Sequence, residues 1–432
     1  MIFSINKILT NKLSQDSFWA LIGSVSSRGL GLLAAIIVAR LLGKDIYGEF
    51  GMIKSTLISV AIFSTFGLGY TATKFVAEFK NNEKEKLKLF YNYSMKITLL
   101  IGGVMSIVLF LFSNEIAISV LESAHLSSAL KIVAFWVLFN SLSTTQIGVL
   151  AGFGEFKSMA KINTVTGITT FILSVVLTYF YLLDGALFAL VLSQVLNWYL
   201  NFRVVNKILP STQYENLDRN KFLNEILHFS FPIALQEAIY AITSWLNYYL
   251  IIKLSNYGEL GLYSAANQWL GVLLFLPGIL KNVILSHMTE SGNDKVKHYN
   301  ILRKMLKINL LSTLLPSIII FLLSGFITEI YGDTFLGLGK VLKATLLSAV
   351  FLSLSNVYSQ AFMSKGHNWP MFWITLVNRL GILIIFYIIM FLKDGEESAF
   401  VLGVSMSAMS IVFFLICNIY YKRRILNTNL LK

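Results

Sequence analysis

Long apolar runs separated by short polar interruptions dominate this chain. "GITTFILSVVLTYFYLL" (167–183) and "LLSTLLPSIIIFLLSGF" (310–326) are examples. Each approaches the roughly 20 residues that cross a hydrocarbon core. In lipid, a helix satisfies its own backbone one segment at a time, and these runs are far too long for barrel strands. The pattern therefore predicts an all-α integral membrane protein. Twelve helices are expected, at about 17–39, 46–71, 90–112, 128–151, 160–183, 185–206, 226–253, 258–285, 302–325, 337–363, 370–392 and 398–421.

Composition agrees. Hydrophobic residues make up 56% of the chain, charged residues 13%, and mean hydropathy is +0.70. Soluble domains carry about 25% charged residues, so this chain could not cover a water-facing surface. The N-terminal "MIFSINKILTNKLSQD" lacks a small-residue cleavage site after a short apolar region, so no removable signal peptide is expected. The single cysteine, Cys417, excludes an intramolecular disulfide and reads as a small apolar residue. His125, His228, His287, His298 and His367 fall at or near span ends without metal-ligand spacing, and solvated or interfacial roles are expected for all five. No cofactor is expected.

Charge then orients the spans. Alternating the loops places 25 of the 35 Lys and Arg on one side, including Lys7, Lys88, Arg219, Lys365, Arg424 and Lys432, and seven on the other, including Lys393. By the positive-inside rule both termini face the cytoplasm. The net charge of +13 is thereby assigned to topology and anionic membrane lipids rather than to nucleic acid.

The chain also repeats itself. "YGEFG" (47–51) returns as "YGELG" (257–261), "KITLL" (96–100) as "KINLL" (307–311), "NEI" (114–116) as "TEI" (328–330), "SLS" (141–143) as "SLS" (353–355) and "LLDG" (182–185) as "LKDG" (392–395). The order is kept and the offset stays between 210 and 214. This predicts a duplicated six-helix unit. Because six is even, the halves enter the membrane in the same direction, as parallel repeats. The expected organisation is a six-helix lobe at 1–206, a cytoplasmic linker at 207–225 and a second lobe at 226–432.

"VARLLGKDIYGEFGMIKS" (38–55) resembles the turn between the first two helices of bacterial polysaccharide flippases, in the exporter superfamily that also holds multidrug-and-toxin extrusion proteins and lipid II flippases. Arg40, Leu42, Gly43, Tyr47 and Gly48 carry the resemblance. It implies two V-arranged lobes around a central cavity. It further implies a secondary transporter, in the bacterial cytoplasmic membrane, that flips polyprenyl-diphosphate-linked oligosaccharides to the outer leaflet. A monomer is expected, with a polysaccharide polymerase and a chain-length regulator as partners.

Charges inside spans are costly and mark candidate function. Arg28 shares a helical face with Ala20, Ser24, Ser27, Gly31 and Ala35, which suits a substrate path or close packing equally in kind. Lys54, Arg379 and its neighbour Asn378 complete a cationic set that could hold a diphosphate. Snorkelling is the alternative for Lys54. Glu237, with Gln236 beside it and Pro232 upstream, is either a coupling-ion site or a partner to Arg28 or Arg379. Asn356, with Ser353 and Gln360, forms a polar face on the tenth span that serves either sugar contacts or helix packing. Two other classes compete. A cation-coupled multidrug exporter would want acidic residues in its lumen. A membrane-embedded polymerase or glycosyltransferase would need a large extramembrane loop and paired carboxylates, and a Gly-rich phosphate loop is also absent, so no enzyme activity is expected.

Overall fold

The computed structural model describes residues 12–80, 83–210, 219–290, 294–392 and 396–426, and among them every regular element is helical. The helix Lys12–Thr65 is in fact two, α1 (12–42) and α2 (44–65), meeting at Gly43 with φ 72°. α3 (Leu68–Phe79) continues α2 after a break at Phe66 and Gly67, both at positive φ. There follow α4 (Lys84–Leu111) and α5 (Leu126–Phe153). The helix Phe156–Ile208 divides at Leu182, φ 47°, into α6 (156–181) and α7 (183–208). The remainder are α8 (Arg219–Leu254), α9 (Tyr257–Leu273), α10 (Phe275–Glu290), α11 (Lys295–Leu322), α12 (Leu338–Ser364), α13 (Asn368–Leu392) and α14 (Ser398–Tyr420).

On length and apolarity alone, seven described helices could cross a membrane, or eight if α9 and α10, bent by 47°, are one span. Counting α6 and α7 separately, and α2–α3 and α9–α10 as broken spans, follows the twelve expected segments. The second and eighth spans run further than hydropathy suggested, to Phe79 and Glu290, because each resumes after a break and ends in polar sequence. The linker residues 211–218 and the termini lie outside the described residues.

Two compact units emerge. The first comprises residues 1–42 and 52–245, the second 43–51 and 246–432. In the first, α5 is the hub, packed by α3, α4 and the Phe156–Ile208 helix. In the second, α12 holds the same place among α10, α11 and α14. The hubs are 50% and 61% buried over their spanning windows, against 28% for α4 and 22% for α11. Leu322, Phe391 and Leu392 are about three-quarters exposed, as lipid-facing side chains should be.

The repeat recurs in backbone detail. α4 and α11 both break at an offset of 211: Phe112 and Leu323 share φ near −88°, and the next residue, Ser113 or Ser324, bonds back to Phe110 or Phe321 at 2.8 Å in each case. α5 and α12 both end on a left-handed glycine. Gly154 donates to the Ala151 carbonyl and Glu155 to that of Leu150; Gly366 donates to Met363 and His367 to Phe362. These are Schellman turns at an offset of 212. The α4 and α11 breaks leave "NEI" and "TEI", at 214, three residues out of register.

The twice-written motif meets itself. Segment 43–51 packs inside the second unit, against the start of α9. A Cβ on Gly48 would fall 1.8 Å from the Tyr257 carbonyl oxygen, and one on Gly261 would fall 1.9 Å from that of Lys44. Only glycine permits that approach. Tyr47, 1% exposed, lies edge-on to Phe335 at 5.9 Å. The second copy's Glu259 accepts from the Ala399 N–H at 2.9 Å, placing a carboxylate at the positive end of α14.

Candidate functional site

Polar side chains in these spans are mostly returned to their own helix. Thr56, Thr71 and Ser141 bond to the carbonyls of Met52, Gly67 and Val137. This is how hydroxyls enter hydrocarbon without orphaned donors. Bonds between helices then build specific seams. In the first unit Trp245 Nε1 donates to Thr56 Oγ1 at 3.0 Å and Ser59 donates to the Ala241 carbonyl at 3.3 Å, joining α2 to α8. Thr71 and Ser230 meet at 2.8 Å, as do Thr98 and Thr145. In the second unit Thr313 meets Ser353 at 3.1 Å. That bond makes helix packing the role of Ser353.

The sequence-derived candidates divide between the units. Lys54 and Glu237 belong to the first, on α2 and α8. Both are half-buried, and neither forms an ion pair with another described residue. The Thr56–Trp245 and Ser59–Ala241 bonds make α2 and α8 antiparallel. That register sets Lys54 level with about residue 247, ten residues beyond Glu237, or about 15 Å along the axis. Glu237 instead lies within electrostatic reach of the Tyr70 hydroxyl. The helical backbones at Arg28 and Gln236 also fall in the first unit, while their side chains lie outside the described residues. The proposed pairing of Glu237 with Arg28 therefore also lies outside them.

Asn356, on α12, and Asn378 and Arg379, on α13, belong to the second unit. Asn378 is 3% exposed, and its side-chain oxygen has no hydrogen-bond partner among the described residues. A buried amide oxygen without a donor is a costly arrangement that a ligand could relieve. Asn356 and Arg379 are half-buried.

Sequence reasoning missed Gln146. It is fully buried on hub helix α5, with neither amide atom bonded to any described residue. The signal was the polar run "SLSTTQ" (141–146) inside an apolar span, which looked like packing because Ser141 and Thr145 do pack. The expectation for histidine also fails at one position. His298 is 1% exposed rather than solvated, because Tyr421 OH at 2.7 Å and Ser364 Oγ at 3.0 Å take up both ring nitrogens. Cys417 is buried among apolar side chains, as read. No group of three or more His, Cys, Asp or Glu among the described residues could hold a metal.

Known proteins supply the rest. The chain is 24% identical over 353 residues to Lsg locus putative protein 1 of Haemophilus influenzae, covering 80% of this chain and 84% of that one. Its fold superposes on an inward-facing conformation of a multidrug resistance MATE family transporter of the MOP superfamily with a TM-score of 0.80 at 14% identity, covering 95% of this chain and 99% of the other. It superposes on the lipid II flippase MurJ in an inward closed conformation with a TM-score of 0.75 at 18% identity, covering 93% and 87%. These likenesses establish the transporter fold. The model of the family described as polysaccharide biosynthesis protein matches residues 13–284, and the chain belongs to that family.

Proposed function

We propose that this protein flips polyprenyl-diphosphate-linked oligosaccharide units from the cytoplasmic to the outer leaflet by alternating access, and that it performs no covalent chemistry. The proposed setting is the bacterial cytoplasmic membrane, with both termini in the cytoplasm. A polymerase and a chain-length regulator would consume the flipped product. The observation that carries the reading is the sign of the charge held within the spans. Lys54 in the first unit and Arg379 in the second are half-buried cations on spanning helices, with Arg28 on α1, against Glu237 as the carboxylate well inside a span among the described residues. Cations on spanning helices in low dielectric favour a diphosphate, whereas an exporter of organic cations would reverse the balance.

The test is surface polysaccharide in a flippase-deficient cell carrying each variant at matched membrane abundance. Arg28→Ala and Arg379→Ala are expected to lose most of the polymer, and Arg28→Lys to keep part of it, since a point charge still meets phosphate without the planar fork. Glu237→Gln abolishes gradient-driven flipping if the carboxylate binds a coupling cation, and lowers abundance if it only pairs. Full polymer from both Arg28→Ala and Arg379→Ala would return the cations to packing roles.

A further inference from the structure

A second cationic site lies in the second unit, at the end of the helices where α12 turns into α13. A cavity of 310 Å³ is lined there by Lys295, His298, Lys365, His367, Tyr421 and Arg424, with Ile425 and Leu426. The volume is at the small end of ligand pockets. None of these lining residues is acidic. His298 forms its wall, buried and fixed by Tyr421 and Ser364, while His367 bonds through Nδ1 to Tyr420 OH at 3.1 Å. The helix after Tyr420 widens into a π-turn over Tyr421–Leu426, and that turn carries Arg424. Such turns are frequent where a helix presents functional groups.

The first unit provides an internal control. Its α4 starts "KEKL" (84–87) where α11 starts "KVKH" (295–298), so Leu87 stands where His298 stands. Leu87, 1% exposed, belongs to an apolar cluster with Phe75, Phe90 and Leu209. At the Schellman turn, Phe153 and Glu155 stand where Lys365 and His367 stand. The first repeat keeps Lys84 where Lys295 stands, but it puts hydrocarbon and a carboxylate at the positions that His298, Lys365 and His367 hold in the second. Scaffold needs do not require that exchange, because the first repeat closes without it.

We infer that this cavity binds a phosphate group, carried either by an anionic lipid headgroup or by a free phosphorylated molecule. Lys and Arg provide charge-assisted donors for phosphate oxygens, and basic pockets between spanning helices suit lipid headgroups. All the lining cations fall on the face that the proposed topology puts in the cytoplasm. The site is separate from the span-embedded cations above, and it stands whether or not those bind a diphosphate.

The test uses the purified full chain and two probes. Pyrophosphate is titrated by calorimetry in neutral detergent, and phosphatidylglycerol is compared with phosphatidylcholine by native mass spectrometry. One saturable site is expected for at least one probe. Lys365→Gln combined with Arg424→Gln should weaken it about 30-fold, as two surface cations on an anionic headgroup would. Lys304→Gln with Lys307→Gln, outside the cavity, should leave it unchanged. Binding of pyrophosphate alone assigns a free ligand, and of phosphatidylglycerol alone a lipid. Absence of both, or equal binding by the cavity variant, overturns the inference. Neither probe carries a polyprenyl tail or sugar, so failure here is distinct from failure of the flippase reading.

Discussion

The turn at Gly154 and the turn at Gly366 are the same piece of backbone with different chemistry around it. Both close a hub helix with the same pair of hydrogen bonds, on a glycine at φ 81° in one and 73° in the other. Before Gly154, Leu150 and Phe153 pack into an apolar cluster, and Lys80 Nζ donates to the Gly152 carbonyl at 3.0 Å, satisfying the helix end from within the protein. Around Gly366, the buried position of Leu87 is held by His298, and lysine and arginine border a cavity. A duplicated unit keeps what the backbone demands and is free to change what only packing demands. Where the two copies differ is therefore where function can have entered.

Substitutions can break this comparison, and the largest effect is expected at Gly148. A Cβ there would fall 2.1 Å from the Gly69 carbonyl oxygen, so Gly148→Ala must separate α3 from α5. A loss above about 3 kcal/mol is expected, in the range of core overpacking. Its counterpart at the turn offset is Gln360, and Gln360→Ala should cost far less. Thermal unfolding of the purified variants in detergent ranks the two. Equal losses would show that the close approach at Gly148 does not set the first hub apart.

Next come the exchanged residues. Leu87→His puts an imidazole among Phe75, Phe90 and Leu209, and should cost about 2–3 kcal/mol for an unsatisfied buried polar group. His298→Leu orphans the Tyr421 hydroxyl and should cost about 1–2 kcal/mol. Denaturant or thermal unfolding reads both, and a neutral Leu87→His would mean that the first unit also tolerates a polar site there.

Gly154→Ala and Gly366→Ala should each cost about 1–2 kcal/mol, for a Cβ in the left-handed region. The comparison requires the two losses to match, and a twofold disagreement in melting-temperature shift would deny that the turns are equivalent. The smallest effect belongs to Lys80→Met, which removes one half-buried bond to Gly152 and should cost about 1 kcal/mol. Limited proteolysis near residue 80 checks it, with faster cleavage expected in the variant.

Much of the fold could be read in advance because a bilayer asks each segment the same local question. Twenty apolar residues in sequence transfer favourably as a helix whatever their neighbours, so span positions and an all-α fold follow from hydropathy. The candidate site was less legible. Lys54 and Glu237 stand out as charges in apolar runs, yet only the Thr56–Trp245 register separates them by several turns. Gln146 was hidden because its neighbours Ser141 and Thr145 are ordinary packing residues.

By itself, then, the sequence determined the helical membrane fold, the duplication and the positions where charge enters the spans, because each depends on properties summed along one segment. Tertiary structure alone decided that the two "YGE" segments press together so closely that a Cβ on Gly48 would strike the Tyr257 carbonyl, that residues 43–51 join the second unit, and that His298 is buried while Leu87 fills the same position in the other repeat. Those outcomes depend on which side chains from distant parts of the chain share one space, and a single imidazole is accommodated there because Tyr421 and Ser364 arrive to meet it.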